Sequence, residues 1–385
     1  MTNVYFDNAA TTQVREEVIE RIMEVLKEVP GNPSSTHAVG RTAKSHIESA
    51  RKTVARILNV SAGEIIFTSG GTEADNLIIQ SAVRDLGVQR IITSKIEHHA
   101  VLYASQEVSK MYDVTLEYVP LKDCGTPDET ALEHLLKNSD LKTLVTLMHV
   151  NNEIGNMIDI KSIATLCKSY GALMHSDMVQ SIGHFEVDLQ EIPVDFIAAA
   201  GHKFHGPKGV GFAFVRKNSG LKPQIFGGSQ ERGLRAGTES VHNIVGVEKA
   251  LECAYENLTE ERSYVQGIKE YFVSQIKKEI PEIKFNGNCG NPDKSTYTLL
   301  NMCLPIDAEK AMLLLFQLDM KGIACSKGSA CQSGSDKGSH VLQEVLSEED
   351  LAKPSVRFSF SKYNTKQEVD YVVAVLKEFL ISVPV

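Results

Sequence analysis

The sequence predicts an α/β protein in which a mostly parallel sheet is covered by helices on both faces, followed by a second, smaller lobe. Short apolar strands alternate with amphipathic helices between Ile65 and Val215, the pattern of β/α units stacked into one sheet. After Val215 the alternation gives way to a helical stretch from about Ser240 to about Ile280 and then to mixed strands and helices. At 385 residues the chain also exceeds one small core, since domains typically span about 100–200 residues.

Taken in order, apolar spacing in Val14 to Val29 and in Ala43 to Leu58 suits two helices. Between them the polar run Gly31-Asn32-Pro33-Ser34-Ser35-Thr36-His37 is helix-breaking and reads as a loop. Ile65 to Thr68 reads as a strand, Thr72 to Leu86 as a helix, Ile91 to Thr93 as a strand and Ala100 to Met111 as a helix. Strands follow at Val114 to Val119 and Leu144 to His149, a helix at Ile160 to Tyr170, and short buried strands at Ala172 to His175, Phe196 to Ala199 and Gly211 to Val215. No repeat, low-complexity tract or Gly/Pro/Ser-rich linker separates the lobes, so a shared cleft is expected.

Composition narrows the function. With 42% hydrophobic and 23% charged residues the chain is an ordinary globular one. A net charge of −9 argues against a phosphate-backbone footprint, so no direct nucleic-acid partner is expected. The N-terminal residues lack a basic stretch followed by an apolar core, and no segment runs through ~18 apolar residues, so a cytoplasmic protein without a membrane partner is expected. Seven scattered cysteines, at positions 124, 167, 253, 289, 303, 325 and 331, do not form a secreted disulfide framework and are expected to be reduced. Cys289, Cys303, Cys325 and Cys331 as metal or iron-sulfur ligands is the rival reading, which the lack of a close Cys-x-x-Cys pair disfavours.

The run Ala200-Gly201-His202-Lys203-Phe204-His205-Gly206 follows an apolar strand and puts Lys203 at the sheet's carboxyl edge, where open α/β proteins bind ligands. A lone lysine is ordinarily a solvated surface group, but one partly removed from water beside a basic histidine would have a lowered pKa and be a competent amine nucleophile toward an aldehyde cofactor. Asp177, just past a strand ending at His175, offers a carboxylate that could pair with a pyridine nitrogen, although such a residue also commonly caps a turn. Gln180 follows three residues later and could reach a ring oxygen. Ser69-Gly70-Gly71-Thr72-Glu73, between strand and helix, offers the backbone N–H groups of Gly71 and Thr72 and a hydroxyl to a phosphate, or makes a plain capped loop. His98 opens the next helix with an imidazole that could stack on a planar ring.

In order and spacing these motifs resemble the class V aminotransferases, and within them the cysteine desulfurases of iron-sulfur cluster assembly. The matching runs are Tyr5-Phe6-Asp7-Asn8-Ala9-Ala10-Thr11-Thr12, the Gly31 to His37 loop, Phe67 to Glu73, His149-Val150-Asn151-Asn152-Glu153-Ile154-Gly155, Asp177 to Gln180, Gly201-His202-Lys203, and Gly227 to Thr238. The resemblance implies a fold-type I pyridoxal 5'-phosphate enzyme with a seven-stranded sheet in a large domain, residues 16–255, and a small α+β domain of residues 1–15 with 256–385. It implies that Lys203 holds the cofactor as a Schiff base, that Asp177 binds the ring nitrogen, and that Gln180 and Asn152 contact the ring oxygen. His98 would stack on the ring and move protons. Gly71, Thr72 and His202 would take the phosphate, joined by Thr238 from the second subunit of a homodimer. Ala200 departs from the serine usual in such enzymes, which puts one phosphate contact in doubt.

The stretch Cys325 to Ser339 is dominated by small and polar residues and reads as an exposed loop, about residues 322–340. A cysteine in its middle is unusual, since free cysteine is ordinarily buried, and Gly328-Ser329-Ala330-Cys331 resembles the family's persulfide-forming motif. Cys325 is either a core thiol or a second sulfur acceptor. Arg357 matches the arginine that binds the substrate carboxylate, or else makes a salt bridge between lobes. The resemblance thus implies conversion of L-cysteine to L-alanine, with sulfur passed to Cys331 and then to an iron-sulfur scaffold or a tRNA-thiolation relay protein. The alternative is another class V aminotransferase or lyase, such as a selenocysteine lyase.

Overall fold

Strands buried on both faces read as apolar runs, and six of them, with the half-exposed edge strand Thr115–Tyr118, form the central sheet of the computed structural model, which describes residues 3–306, 314–327 and 338–382. The chain runs through strand β1 (Val4–Tyr5), helices α1 (Glu16–Glu28) and α2 (Ala38–Ile57), β2 (Ile65–Thr68), α3 (Gly71–Leu86), β3 (Arg90–Thr93), α4 (His99–Tyr112) and β4 (Thr115–Tyr118). It continues with α5 (Glu129–Lys137), β5 (Thr143–Thr146), α6 (Ile160–Ser169), β6 (Leu173–Asp177), β7 (Phe196–Ala200), β8 (Gly211–Val215), α7 (Val241–Glu256) and α8 (Leu258–Glu279). After these come β9 (Lys284–Phe285), β10 (Leu299–Cys303), β11 (Ile323–Ala324) and β12 (Ser355–Ser359), with a helix over Lys366–Ser382 closing the chain.

The sheet order is β2-β8-β7-β6-β5-β3-β4, and only β8 pairs antiparallel, with β2 and β7. Alternation along each strand sends Ile65 and Phe67 into one core with α1, α2, α6 and α7, and Ile66 into another with α3 and α4. Helix α2 begins at Ala38, five residues before the apolar stripe suggests, because the His37 ring accepts the Gly40 N–H and caps an extra turn. Helix α5, which apolar spacing did not single out, is capped by Asp128 and buries Leu132 and Leu136. The long helical stretch breaks at Asn257 into α7 and α8.

A separate core gathers Phe6, Phe272, Phe358 and Phe360, whose rings meet at centroid distances of 5.1 to 6.1 Å. It lies between α8, the Lys366–Ser382 helix and the three-stranded sheet β12-β10-β9. The N-terminal strand joins this region, with Val4 pairing parallel to Ile323 and Tyr5 to Ala324. No helix among the described residues is long and apolar enough to cross a membrane.

Candidate active site

The carboxyl ends of the parallel strands open on a cavity of about 230 Å³. It is lined from the sheet side by Gly71, Thr72, Asp177 and Lys203, and from the other core by Ala9, Ala10 and Arg357. His98, Asn152, Gln180, Ala200 and His202 complete the set of sequence-predicted residues that the fold brings together.

On β6, His175 and Asp177 are two residues apart and point to the face covered by α3 and α4, while Met174 enters the opposite core. Asp177 is the last residue of the strand rather than lying beyond it, because the ladder to β7 continues through Ser176 and Asp177. One oxygen of Asp177 accepts the Val179 N–H at 2.9 Å. Burial pushes its carboxyl up to about 6, with the Val179 hydrogen bond and Lys203 pulling the other way.

Lys203 follows the end of β7 by one 3₁₀ turn, Gly201–Lys203, and its Nζ donates to the carbonyls of Ala9 at 2.6 Å and Ala10 at 2.9 Å. Gln180 Nε2 donates to the same Ala9 carbonyl at 3.0 Å. Thr72 lies in the first turn of α3, whose free N–H groups face the cavity end of the helix. A Cβ on Gly71 would stand 2.6 Å from Val179 Cγ2, so only glycine lets that helix start close against the turn after β6.

His98 caps α4, its Nδ1 accepting the Ala100 N–H at 3.1 Å. Burial, then the charges of Lys203 and His340, hold its pKa at about 4, so the ring is neutral near pH 7. The same burial, with Lys203 and Lys208, brings His202 to about 4, and its Nδ1 lies 3.2 Å from Thr11 Oγ1. Arg357 is 1% exposed: Nη1 donates to the Asn152 carbonyl at 2.7 Å and Nη2 to Asp7 Oδ1 at 3.0 Å. It is therefore both a cavity residue and a salt bridge between the N-terminal segment and β12.

Thr238 is exposed and does not line this cavity. Cys331, with Gly328, Ser329 and Ala330, lies outside the described residues. Cys325 packs against the core around Phe6, and burial, with Asp7, pushes its thiol up to about 12. Among the described residues all six cysteines are free, and no group of three or more His, Cys, Asp or Glu side chains could hold a metal ion.

Sequence reasoning missed Asp75, Glu97, His99, Glu153 and His340. Asp75, His99, Glu153 and His340 line the cavity, and Glu97 stands behind it, with Oε1 accepting the Met148 N–H at 3.0 Å. Glu153 accepts the Ser339 hydroxyl, and His340 Nε2 donates to the Glu97 carbonyl at 2.9 Å. A signal existed for Asp75, which stands three residues after Thr72 on one face of α3.

The donor set suits a phosphorylated pyridine aldehyde. It holds an amine at a sheet edge, a buried carboxylate, a neutral imidazole, and a hydroxyl at a helix N-terminus. The class-V aminotransferase family model matches residues 4–372. A cysteine desulfurase IscS from Dictyoglomus turgidum is 38% identical over 382 residues, covering 98% of this chain and 94% of that protein. A solved NifS-like protein superposes with a TM-score of 0.89 at 35% identity, covering 99% of this chain and 100% of its own. SspA, solved in complex with cysteine, superposes at 0.78 with 31% identity over 94% of this chain and 100% of its own.

Proposed function

This chain belongs to the class-V aminotransferase family, and from that membership and its cavity we infer that it is a pyridoxal-phosphate-dependent cysteine desulfurase. It converts L-cysteine to L-alanine and carries the released sulfur as an enzyme persulfide. The observation that carries this reading is the convergence of Lys203, Asp177, His98, Thr72 and Arg357 on one cavity. The desulfurase names of relatives at 38% identity disfavour a selenocysteine lyase.

Bound at this site, pyridoxal 5'-phosphate supplies an aldehyde for amines and an electron-withdrawing ring that acidifies the substrate's Cα–H. Lys203 Nζ would hold the cofactor through its aldehyde and, when free, is the amine placed to take the substrate's Cα proton. The Asp177 carboxylate would keep a proton on the ring nitrogen, and Gln180 and Asn152 would hold the ring oxygen. Thr72, His202 and the N–H groups at the start of α3 bind the phosphate, with Gly71 giving the close approach. His98, whose imidazole burial keeps neutral, would stand against the ring and move protons there. Arg357 receives the substrate carboxylate as a two-pronged donor. Cys331, as thiolate, bonds to the substrate sulfur as the carbon–sulfur bond breaks, and the carbon fragment takes a proton to leave as alanine.

Residues 16–255 act as the cofactor domain, and residues 1–15 with 256–385 as the substrate-side domain. A homodimer in the cytoplasm, with Thr238 reaching the partner's phosphate site, is consistent with Thr238 standing away from its own cavity. The persulfide then passes to an acceptor protein, an iron-sulfur scaffold or a tRNA-thiolation relay. The test is incubation with L-cysteine and a reductant. Equimolar alanine and sulfide are expected from the wild type, and cofactor colour without sulfide release from Cys331→Ala. Sulfide release by Cys331→Ala at the wild-type rate would overturn the persulfide step.

A further inference from the structure

Behind Asp177 stands a second buried carboxyl that the reaction above does not use. Asp75 is 1% exposed and lines the cavity from α3, one turn beyond Thr72. Among the described residues the one basic group within 4.0 Å of its carboxyl is His175, whose Nε2 lies 3.4 Å from Oδ1. His175 is itself fully buried, and its Nδ1 lies 2.8 Å from Thr146 Oγ1 on the neighbouring strand, where the two residues are register partners. Thr93 continues this row across the sheet, its hydroxyl donating to the Thr146 carbonyl at 3.0 Å.

The titratable groups facing Asp75 are His175 and Asp177 from β6 and Glu97 from the segment before α4. Three carboxyls buried together cannot all be ionised without charge compensation. Burial, then the charges of Asp177 and Glu97, push the Asp75 carboxyl well above the usual carboxylate range. Burial likewise holds His175 at about 3, so its ring is neutral and carries one N–H.

We propose that Asp75 is a positioning residue carried as the neutral acid. Its O–H is donated to His175 Nε2, so that Asp177 alone presents a negative charge to the ring nitrogen. His175 then donates its Nδ1–H to Thr146 Oγ1, and the row from Thr93 to Asp75 fixes the tautomer. This deepens the cofactor reading and rests on Asp177 as the ring-nitrogen partner.

The test uses the holoenzyme at pH 8, where ordinary carboxyls are ionised. An infrared difference spectrum of wild type minus Asp75→Asn is expected to show one protonated-carboxyl C=O stretch; its absence overturns the proposal. Asparagine can donate to the same nitrogen, so Asp75→Asn is expected to keep cofactor affinity within about twofold of wild type and the pH midpoint of the visible band within about 0.3 unit. Asp75→Val leaves His175 without a donor, and about tenfold weaker cofactor binding is expected. A shifted band midpoint in Asp75→Asn, the mark of a lost negative charge, would also overturn the proposal. A wild-type protein without a visible band would instead sink the cofactor reading, leaving the infrared result to judge Asp75.

Discussion

On one wall of the cavity, Thr72, His98, Asp177 and Lys203 each stand within three residues of a strand end or a helix start. On the other, Ala9, Ala10 and Arg357 come from opposite ends of the chain, and Asp7 meets Arg357 across 350 positions. The first wall follows from local β/α units, whose strand ends point to one edge whenever the sheet forms. The second exists only when the N-terminal strand, β11 and β12 dock on the Phe6 core. On the function proposed above, the groups that would hold the cofactor stand on the locally specified wall, and those for substrate recognition on the one that depends on long-range assembly.

The largest test of this division is Lys203→Ala. It is expected to lower desulfurase activity by at least about 10³-fold and to purify without the visible cofactor band. A retained band would break the assignment of the first wall. Behind the second wall, packed against the Phe6 core, the Cys325 thiol at about 12, against an ordinary 9.0, leaves about 10³-fold less thiolate at pH 8 than an ordinary cysteine. Alkylation there should be correspondingly slow, and mass spectrometry after brief cysteine exposure should find the added sulfur on Cys331 and not on Cys325.

Arg357→Ala sharpens the contrast further. Loss of a buried two-pronged cation is expected to cost about 10²-fold in kcat/KM, chiefly through KM, with the visible band retained. A variant that lost its cofactor instead would show that the two walls are not separable. The smallest effect is a gain. Ala200, 2% exposed at the end of β7, is expected to retain the cofactor up to about fivefold more tightly as Ala200→Ser, measured as the rate of cofactor loss on dialysis.

The same division explains what could be read from the sequence. Alternation fixes the strands of the large sheet within a few residues, because burial on both faces leaves apolar runs such as Ile65-Ile66-Phe67. The prediction for Leu144 to His149 overran, since β5 ends at Thr146, beyond which Leu147 packs into the core and Met148 lines the cavity. The short pairing of β1 with β11 leaves no local pattern, as only two residues of each strand take part. Motif order located Lys203, Asp177 and Thr72, but Glu97, His99 and His340 meet through burial and ring contact between distant segments. His99 and His340, for example, lie 4.3 Å apart at their centroids although 241 positions separate them in number.

The Ala9 and Ala10 carbonyls that hold Lys203 Nζ belong to a segment seated between β11 and β12. During synthesis these residues leave the ribosome first, while Ile323 and Ser359, against which the segment pairs, leave near the end. The large sheet can fold as soon as β8 has emerged, but the lysine cannot be locked in place until translation is almost complete. Ordering of the lysine should therefore be a late step, and a nascent chain stalled before β12 would carry a finished sheet whose lysine is not yet held.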